Sequence, residues 1–298
     1  MAHNLIDISF VTINYNGIKH TRELLQSMQT HLNNVSYETL VIDNGSLINE
    51  SDILASEFPN YIFIRSETNL GFAGGNNLGI KSCVGKYIML INNDTLLIDN
   101  SIKSMIDFMD NNVFVAASSP KILFMEPLGI IQYAGFTELT KITLRNRGVG
   151  FGEKDVGQYD LATETFFTHG AAMVVRRTVI EKIGLMPECY FLYYEEMEWC
   201  YKMRQEGYEL WFYPHTKIVH KESMSIGASS SLKIYYLTRN RLLFASRNRR
   251  GLIKLLALIY QLLIAIPAHF FKSVFIGRFD FANAIVRGTF SFFRLQLN

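Results

Sequence analysis

Residues 87–94, Tyr-Ile-Met-Leu-Ile-Asn-Asn-Asp, join an apolar run to a polar end, and this combination decides the fold class. A short apolar run that stops at turn-forming residues predicts a strand buried on both faces, as in a parallel sheet. Comparable runs occur earlier, at residues 8–13, 39–42 and 61–65. Helical patterns separate them, up to about residue 28, over residues 51–58 and over residues 76–83. Because strands alternate with helices, we predict an α/β fold with a mainly parallel central sheet and flanking helices.

The pattern weakens after residue 130 and becomes clearer again after residue 165. Residues 131–158 are rich in Gly, Thr, Arg and Asn, which predicts short strands or loops. We predict a strand over residues 166–175, a helix over 178–183 and a further helix over 195–206, which has acids in its first turn and Gly207 after its end. Two short strands are predicted on either side of Pro214, at residues 208–213 and 217–220.

Polar side chains follow the second and fourth predicted strands. Ligands of parallel α/β sheets bind beyond the carboxyl ends of the strands, which is where Asp43 and Asp94 lie. The Asp94 carboxylate, with the side-chain oxygen of Asn92 two residues earlier, suits a hard divalent ion that bridges a diphosphate. Asp43 suits a ribose or a base edge. For both aspartates the alternative is a turn former, and for Asp94 also the N-cap of the next helix.

Residues 69–77, Asn-Leu-Gly-Phe-Ala-Gly-Gly-Asn-Asn, form a glycine-rich stretch that opens a helix. Exposed amides at a helix N-terminus suit phosphate, which makes Asn69, Gly71 and Asn76 candidates for binding a donor. The spacing differs from the dinucleotide-binding fingerprint, which would also follow the first strand. Close packing of the backbone is the alternative.

An acidic cluster, Glu195, Glu196 and Glu198, follows an aromatic run at residues 190–194. Carboxylates beside bulky apolar groups can have raised pKa values and act as a general base. The helix dipole also favours acids in a first turn, which is the structural alternative. His220 ends a predicted strand, where it is either a structural residue or a metal ligand.

The order and spacing of these segments over residues 1–225 resemble the family 2 glycosyltransferases of GT-A fold, in particular rhamnosyltransferase-like members that build bacterial surface polysaccharides. The matching segments are residues 11–17, 41–46, 69–77, 91–94, 170–173, 191–198 and 219–220. The resemblance implies a GT-A fold, a nucleotide-diphosphate sugar (dTDP- or UDP-sugar) as donor, and Mg²⁺ or Mn²⁺ as cofactor.

The resemblance also implies which residues bind the donor nucleotide. Asp43 would contact the nucleobase, and the backbone around Thr12 and Asn14 would line the same pocket. Together with the residues of the glycine-rich stretch and the fourth strand end, the predicted donor-binding set is Thr12, Asn14, Asp43, Asn69, Gly71, Asn76 and Asn92.

Metal binding and catalysis are implied in the same way. Asp94 would bind the metal ion, with His220 as a second ligand, and Glu196 falls where the family places its catalytic carboxylate. Two departures from the family pattern occur. Asn92 stands where the Asp-x-Asp motif begins, which leaves fewer charges on the metal. Glu196 and Glu198 stand where the family has aspartates, so the resemblance leaves open how the catalytic role is shared among Glu195, Glu196 and Glu198.

Residues 226–298 differ from the rest in charge. They hold 11 Lys/Arg and one acid, whereas residues 1–225 hold 18 Lys/Arg and 26 Asp/Glu. Residues 252–271 form a mostly apolar run that contains Lys254, Gln261, Pro267 and His269. This run is long enough for a bilayer, but its polar content suits a helix in the membrane interface equally well. We expect a GT-A catalytic domain over residues 1–225 and a helical, membrane-associating region over residues 226–298.

The three cysteines form no disulfide framework, so a reducing cytoplasm is the expected compartment. The protein is therefore predicted to be peripheral on the cytoplasmic face of the inner membrane. A nucleic-acid partner is not expected, because the tail's arginines adjoin an apolar run instead of a polar groove.

The predicted activity is inverting transfer of a sugar to a hydroxyl of a glycan or lipid-linked acceptor. A processive synthase would carry a Gln-x-x-Arg-Trp motif after the acidic cluster, and this sequence has none. Two alternatives belong to other classes of protein. A sugar-nucleotide nucleotidyltransferase would show a glycine-rich basic loop after the first strand, where this chain has Asn14-Tyr15-Asn16-Gly17. A catalytically silent nucleotide-sugar-binding subunit is the other.

Overall fold

The computed structural model of the protein describes residues 6–221 and 230–297, so the boundary predicted at residue 225 lies outside the described residues. The first half of the chain forms β1 (Ile8–Asn14), α1 (Ile18–His31), β2 (Tyr37–Asn44), α2 (Glu50–Glu57), β3 (Ile62–Ser66), α3 (Gly71–Ser82) and β4 (Tyr87–Ile91). Strand β1 pairs in parallel with β2 and β4, and β2 pairs in parallel with β3. The predicted parallel sheet is confirmed.

Later strands extend the same sheet. The chain continues through β5 (Thr95–Leu97), α4 (Ile102–Asn111), β6 (Val115–Phe124), β7 (Ile131–Tyr133), β8 (Thr163–Glu164), β9 (Ala172–Arg176), α5 (Arg177–Ile183), α6 (Glu195–Gln205) and β10 (Glu209–His220). The strand order is β3-β2-β1-β4-β9-β6-β10-β5, with β7 beside β6 and β8 beside β10. Strand β9 is antiparallel to both β4 and β6, so the sheet is parallel on one side and mixed on the other.

The strand predicted over residues 166–175 is wrong in its first part, because β9 begins only at Ala172. Residues before it bond to a loop and to a side chain of β6 instead of forming a ladder with one neighbouring strand. The amide of Phe166 donates to the carbonyl of Phe136, and the amide of His169 donates to Ser119 Oγ at 2.9 Å. The apolar pattern of residues 166–175 does not by itself show that the strand begins only part-way along it.

The two strands predicted around Pro214 are a single strand, β10. Its pairing with β6 shifts register between Tyr213 and Lys217. Proline has no amide hydrogen to donate, and an irregularity of this kind leaves the ladder without that bond. The strand therefore passes through the proline and continues to His220.

Helices cover both faces of the sheet. On one face, α3 begins at Gly71, earlier than the predicted start at residue 76. A Cβ at Gly79 would lie 2.4 Å from Val11 Cγ1, so this glycine lets α3 approach β1 closely. On the other face, α1 buries Leu24 and Leu25 against the sheet.

The predicted C-terminal helical extension is confirmed over residues 231–297. It consists of α7 (Ser231–Asn248), α8 (Gly251–Tyr260), α9 (Ile266–Phe275) and α10 (Phe279–Leu297). A π-helical turn, Gln261–Ala265, joins α8 to α9 directly before Pro267, where a wider turn accommodates the proline ring. The resulting α8–α9 helix is long and apolar enough to cross a membrane by length and composition alone. One side of it packs on the protein, where Gln261 Nε2 donates to the carbonyl of Thr143 at 3.1 Å.

Candidate active site

The carboxyl ends of β1, β2 and β4 meet at one edge of the sheet. Asn14 at the end of β1 lies opposite Asp43 in β2, and β4 runs beside β1 and ends at Ile91. The loops that follow, residues 15–17, 45–49 and 92–94, line this edge. The candidate site therefore has the position that ligands take in open α/β sheets.

The side chains of Thr12 and Asn14 are buried beneath these loops. Asn14 Nδ2 donates to Glu50 Oε2 at 2.7 Å, and Asn14 Oδ1 accepts from Thr21 Oγ1 at 2.7 Å. Glu50 also accepts from the backbone amide of Gly17 at 3.1 Å. Asn14 thus fixes the loop after β1 to the start of α2. Because these side chains are buried, the loop backbone would make the contact with a nucleotide, as the resemblance implies.

Asp43 is buried and forms the turn after β2. Its Oδ1 accepts from the Ser46 amide at 3.0 Å, and its Oδ2 accepts from Arg65 Nη1 at 2.8 Å. Arg65 also donates to the carbonyls of Ser46 and Ile48 at 2.9 and 3.0 Å. The turn-forming alternative for Asp43 is therefore present in the structure. Its contact with a nucleobase stays a prediction.

The first amides of α3 are already hydrogen-bonded within the protein. The Leu70 amide donates to Asn44 Oδ1 at 3.0 Å, and the Gly71 amide donates to Asn69 Oδ1 at 2.8 Å. Asn76 is buried, and its side-chain amide donates to a carbonyl one turn earlier in the same helix at 3.0 Å. These donors serve the helix, and contact of Asn69, Gly71 and Asn76 with a donor phosphate stays a prediction.

Gly71 brings α3 against the segment before the acidic cluster. Its φ is +73°, and a Cβ at this position would lie 2.2 Å from the carbonyl oxygen of Phe191. The amide of Phe72 donates to the same carbonyl at 2.7 Å. Both the positive φ and the close approach require glycine here. The glycine-rich stretch thus holds α3 against the segment that precedes the acidic cluster.

Asp94 and His220 come together at the edge of the sheet. His220 Nε2 lies 3.1 Å from Asp94 Oδ1, and both side chains are buried. Strand β5 directly follows Asp94 and pairs antiparallel with the end of β10, where His220 lies opposite Thr95. This pairing joins two residues that are far apart in the sequence.

The hydrogen bonding of His220 leaves one ring nitrogen for a ligand. Its Nδ1 lies 2.8 Å from Gln132 Oε1, and because an amide oxygen only accepts, Nδ1 carries the hydrogen. In the neutral imidazole, Nε2 then presents a lone pair towards Asp94, and this buried atom has no hydrogen-bond partner. At about 2.1 Å from each atom, a divalent cation would lie to one side of the line joining them, so this separation suits two neighbouring ligands of one ion.

The Asp94 carboxyl is suited to the charged form that a metal requires. Burial disfavours ionisation, but when His220 is protonated its hydrogen bond and charge outweigh this effect and lower the pKa of Asp94 below its ordinary value; a bound cation would take the place of that proton. Over residues 6–221 and 230–297, no group of three or more His, Cys, Asp or Glu side chains could hold a metal. The remaining coordination positions would therefore fall to a diphosphate and water.

The loop of residues 169–171 connects this pair to the acidic cluster. On one side, the ring of His169 lies 6.3 Å from the ring of His220, and the Asn92 amide donates to the loop at 2.9 Å. On the other side, Glu196 Cγ lies 3.8 Å from the position of a Cβ at Gly170. Burial, and then the charge of His220, lowers the pKa of His169 to about 3, so this imidazole is neutral.

The loop before the acidic cluster has an uncommon backbone conformation. Three non-glycine residues there are left-handed, with φ of 64°, 67° and 80°: Phe191, Tyr193 and Tyr194. Such conformations cost about 1–3 kcal/mol each and persist where surrounding contacts enforce them. The buried side-chain amide of Asn240 in α7 donates to three carbonyls of this loop, at 3.0, 2.7 and 2.8 Å: Tyr190, Leu192 and Tyr193.

Glu198 anchors α6 to α7. Its carboxylate accepts from Arg247 Nη2 at 2.8 Å, Arg247 Nε at 3.0 Å and Asn248 Nδ2 at 2.8 Å, and also from the Tyr190 hydroxyl. Burial disfavours ionisation of Glu198, but these partners outweigh it and lower its pKa. A buried carboxylate with its oxygens so occupied is a structural group, which argues against the predicted catalytic role for Glu198.

Glu195 and Glu196 differ in exposure although they are adjacent. Glu195 is buried, and its Oε2 has no hydrogen-bond partner. Burial, and then the charge of Glu196, raises the pKa of Glu195 well above its ordinary value. Glu196 is half-buried, and burial raises its pKa as well. Glu196 thus combines a raised pKa with access to the site, as a general base requires.

Several residues that shape the site were missed in the sequence. Gln132 lies in the weakly patterned region and His169 in the strand predicted over residues 166–175, and neither stands in a recognisable motif. Asn240 and Arg247 lie in a basic helix that the charge pattern assigned to the membrane. One signal was available, the Asn240 amide among the aromatic and apolar residues of α7. A buried amide needs hydrogen-bond partners, so its position indicates contacts with another part of the chain.

The sheet carries the Asp94–His220 pair and the carboxyl group of Glu196 at its carboxyl edge, an arrangement that suits a glycosyltransferase. The family model described as "Glycosyl transferase family 2" matches residues 9–184. This match covers more than half of the chain, and the protein belongs to glycosyl transferase family 2. The nucleotidyltransferase alternative is thereby set aside.

Curated relatives agree with this assignment. The chain is 25% identical over 244 residues to the low-salt glycan biosynthesis hexosyltransferase Agl10 of Haloferax volcanii, covering 80% of this chain and 75% of that protein. It is 24% identical over 247 residues to the dTDP-rhamnosyl transferase RfbF of Shigella flexneri, covering 77% of each.

A solved structure confirms the GT-A-like fold. The crystal structure of GalNAc-T7 with UDP, GalNAc and Mn²⁺ matches with a TM-score of 0.62 at 15% identity. The match covers 87% of this chain and 54% of that one, so the present chain spans about half of its length.

Proposed function

We propose that the protein is an inverting, metal-dependent glycosyltransferase that moves a hexosyl or deoxyhexosyl group from a dTDP- or UDP-sugar to a hydroxyl of a lipid-linked glycan. The observation that carries this proposal is the placement of Glu196 and the Asp94–His220 pair on two sides of the loop of residues 169–171. The donor diphosphate would lie at the pair and the acceptor hydroxyl at Glu196. Holding two reactants in this way removes much of the entropic barrier.

The proposed reaction is a single displacement. The acceptor oxygen attacks the anomeric carbon, and its proton passes to the carboxylate of Glu196. The new carbon–oxygen bond forms as the bond to the diphosphate oxygen breaks, and the nucleotide diphosphate departs with the electron pair. One displacement inverts the anomeric configuration, and the raised pKa of Glu196 suits a base that must hold this proton.

Asp94 and His220 would hold Mg²⁺ or Mn²⁺, which offsets the charge of the departing diphosphate when bound. The orphaned Nε2 of His220 supports this role, and Gln132 would keep the imidazole in the tautomer that can bind. Because Mg²⁺ prefers oxygen ligands, an imidazole in the site favours Mn²⁺.

The names of the relatives support the donor and the process. RfbF is a dTDP-rhamnosyl transferase, Agl10 is a hexosyltransferase of glycan biosynthesis, and GalNAc-T7 was solved with UDP and Mn²⁺. We infer from them a role in bacterial surface polysaccharide synthesis.

The C-terminal helices support a peripheral position on the cytoplasmic face of the inner membrane. The α8–α9 helix presents an outward apolar face, which consists of the exposed residues Leu252, Leu255, Leu263, Phe271 and Phe275. Its opposite side is fixed to the protein through the buried Ala257 and Gln261. The helix would therefore lie along the membrane surface, where basic residues contribute about 1 kcal/mol each.

A donor screen tests the proposed function. Purified protein with Mn²⁺ should release nucleotide diphosphate from a dTDP- or UDP-sugar, and mass analysis should show the sugar on a lipid-linked acceptor. Chelation should stop the reaction. Absence of turnover with every donor and metal would mean a catalytically silent, nucleotide-sugar-binding subunit instead.

A further inference from the structure

A small cavity lies among the C-terminal helices, between α7, the α8–α9 helix and α10. Its volume is about 150 Å³, and its polar lining includes Arg241, Gln261, His269 and Ser273. At ~30 Å³ for each water molecule, this is room for about five waters. The space suits a phosphate group but is too small for a nucleotide or a sugar chain.

The charge of this cavity is positive and lacks an acidic counterpart among its lining residues. Arg241 Nε donates to the Tyr194 hydroxyl at 2.9 Å, a neutral partner. Burial, and then the positive charges of Arg241, Arg145 and Lys272, lower the pKa of His269, so Arg241 is the cation among the residues that line the cavity. A guanidinium in a partly buried, mostly apolar setting interacts strongly with an anion, because water screens it weakly there.

The acids of the surrounding helices do not neutralise this charge. Over residues 230–297 the sole acid is Asp280, and it pairs with Arg278 at 2.8 Å. Glu198, which accepts hydrogen bonds from α7, is engaged by Arg247 and Asn248. The described part of the chain thus leaves the cavity open to an anion from outside.

The cavity also lies between the membrane-facing side and the catalytic loop. Arg241 contacts Tyr194, which directly precedes Glu195 and Glu196. On the opposite side, the cavity-lining residues Ala265 and His269 belong to the helix that carries the outward apolar face. The cavity thus lies on the inner side of the helix whose outer side is apolar, and the Arg241–Tyr194 hydrogen bond links it to the segment before Glu196.

We propose that this cavity binds the phosphate or diphosphate group of the lipid-linked acceptor, with the Arg241 guanidinium as the principal contact. This inference rests on the proposed function, and it deepens it by assigning an acceptor subsite. The guanidinium offers paired donors that match phosphate oxygens, which a lone ammonium does not.

Binding of defined probes to the full-length protein in detergent tests the proposal. Geranylgeranyl diphosphate should bind, geranylgeraniol should bind more weakly, and inorganic pyrophosphate should compete with the diphosphate. Arg241→Gln should weaken binding of geranylgeranyl diphosphate by about 10–100-fold, the range for losing a charged hydrogen bond. Arg287→Gln is the matched control, since it removes an exposed arginine of α10 outside the cavity.

Two further variants separate binding from support of the catalytic loop. Tyr194→Phe removes the contact to Arg241 but keeps the cation, so diphosphate binding should persist. Arg241→Lys keeps the charge and should retain part of the affinity. If Arg241→Gln and Arg287→Gln behave alike, or if Tyr194→Phe loses binding as fully as Arg241→Gln, the assignment is overturned.

Vesicle and donor assays keep the remaining outcomes apart. If Arg241→Gln weakens binding to phosphatidylglycerol vesicles as much as binding to the isoprenoid diphosphate, the cavity is a general lipid head-group contact and the acceptor subsite is refuted. Release of nucleotide diphosphate without acceptor reports on the proposed function alone. Wild-type protein that hydrolyses no donor but binds the diphosphate through Arg241 would contradict that function and leave the subsite standing.

Discussion

The side-chain amide of Asn240 in α7 donates to the backbone carbonyl of Tyr193, 2.8 Å away and two residues before the acidic cluster. This contact places α7 against the loop that precedes the proposed base, although the charge of residues 226–298 predicts contact with the membrane. Removing everything after residue 225 would therefore disturb catalysis and membrane contact together. Single substitutions are needed to tell the two apart.

Replacing Asn240 with alanine should lower kcat while leaving the Kd for the donor nearly unchanged. The left-handed loop would lose three hydrogen bonds, and a small displacement of Glu196 is expected to cost about 10–100-fold in kcat. Steady-state kinetics and donor titration measure the two quantities. Asn283→Ala, at an exposed position in α10, is the control and should leave both unchanged. Equal losses of kcat and donor affinity would point to general misfolding.

Replacing Gln132 with alanine should weaken Mn²⁺ binding without removing either proposed ligand. His220 would lose the partner that fixes its tautomer, and such changes commonly cost about 10–100-fold in metal affinity. Asp94→Asn should abolish binding. Calorimetric titration of Mn²⁺ in the presence of UDP gives the affinities, with the surface variant Asp107→Asn as control. A chelator-resistant wild-type enzyme would refute the metal site altogether.

The parallel half of the sheet and the position of its strand ends follow directly from the sequence, because buried strands and turn residues leave local patterns. The Asp94–His220 pair was found through the family resemblance, and the contact itself depends on the pairing of β5 with β10. The structural role of Glu198 could be predicted neither from a local pattern nor from the resemblance. Its partner Arg247 lies 49 residues further on, in a helix whose own pattern carries no sign of the contact.

Glu198→Gln should destabilise the protein more than it slows catalysis. The lost ion pair contributes about 1–2 kcal/mol after allowance for the 41% exposure of the Arg247 side chain. The pKa of Glu198 is lower in the folded protein than in the unfolded chain, so this stabilisation is present above the unfolded pKa and is lost as pH falls through the folded pKa. The difference in Tm between wild type and variant should therefore shrink on acidification. A constant difference would contradict the ion pair.

Polar substitutions on the outward apolar face should release the protein from membranes without affecting the site. Leu263 and Phe275 are 71% and 87% exposed, so Leu263→Gln and Phe275→Gln should fold normally. Each removes an apolar side chain worth about 1.5–3 kcal/mol when buried, which predicts at least a tenfold loss of vesicle affinity. Leu128→Gln, 81% exposed on the sheet domain, is the control in a flotation assay. Unchanged flotation of both variants would make this face a packing or oligomer surface.

Glu196→Gln should lower kcat by about 10²–10⁴-fold, the usual contribution of a general base, with little change in the Kd for the donor. The base touches the acceptor, whereas the donor diphosphate would lie at Asp94 and His220. Because burial raises the pKa of Glu196, activity of the wild type should fall as pH drops through that raised value, since the protonated acid accepts no proton. Glu195→Gln is the informative comparison. Burial, and then the charge of Glu196, raise the pKa of Glu195 well above its ordinary value and so favour its neutral form, and a neutral amide of similar shape should cost less there than in Glu196→Gln. The kcat–pH profiles of the three proteins decide the assignment, and a Glu196→Gln enzyme with near-normal kcat would transfer the role of base to Glu195.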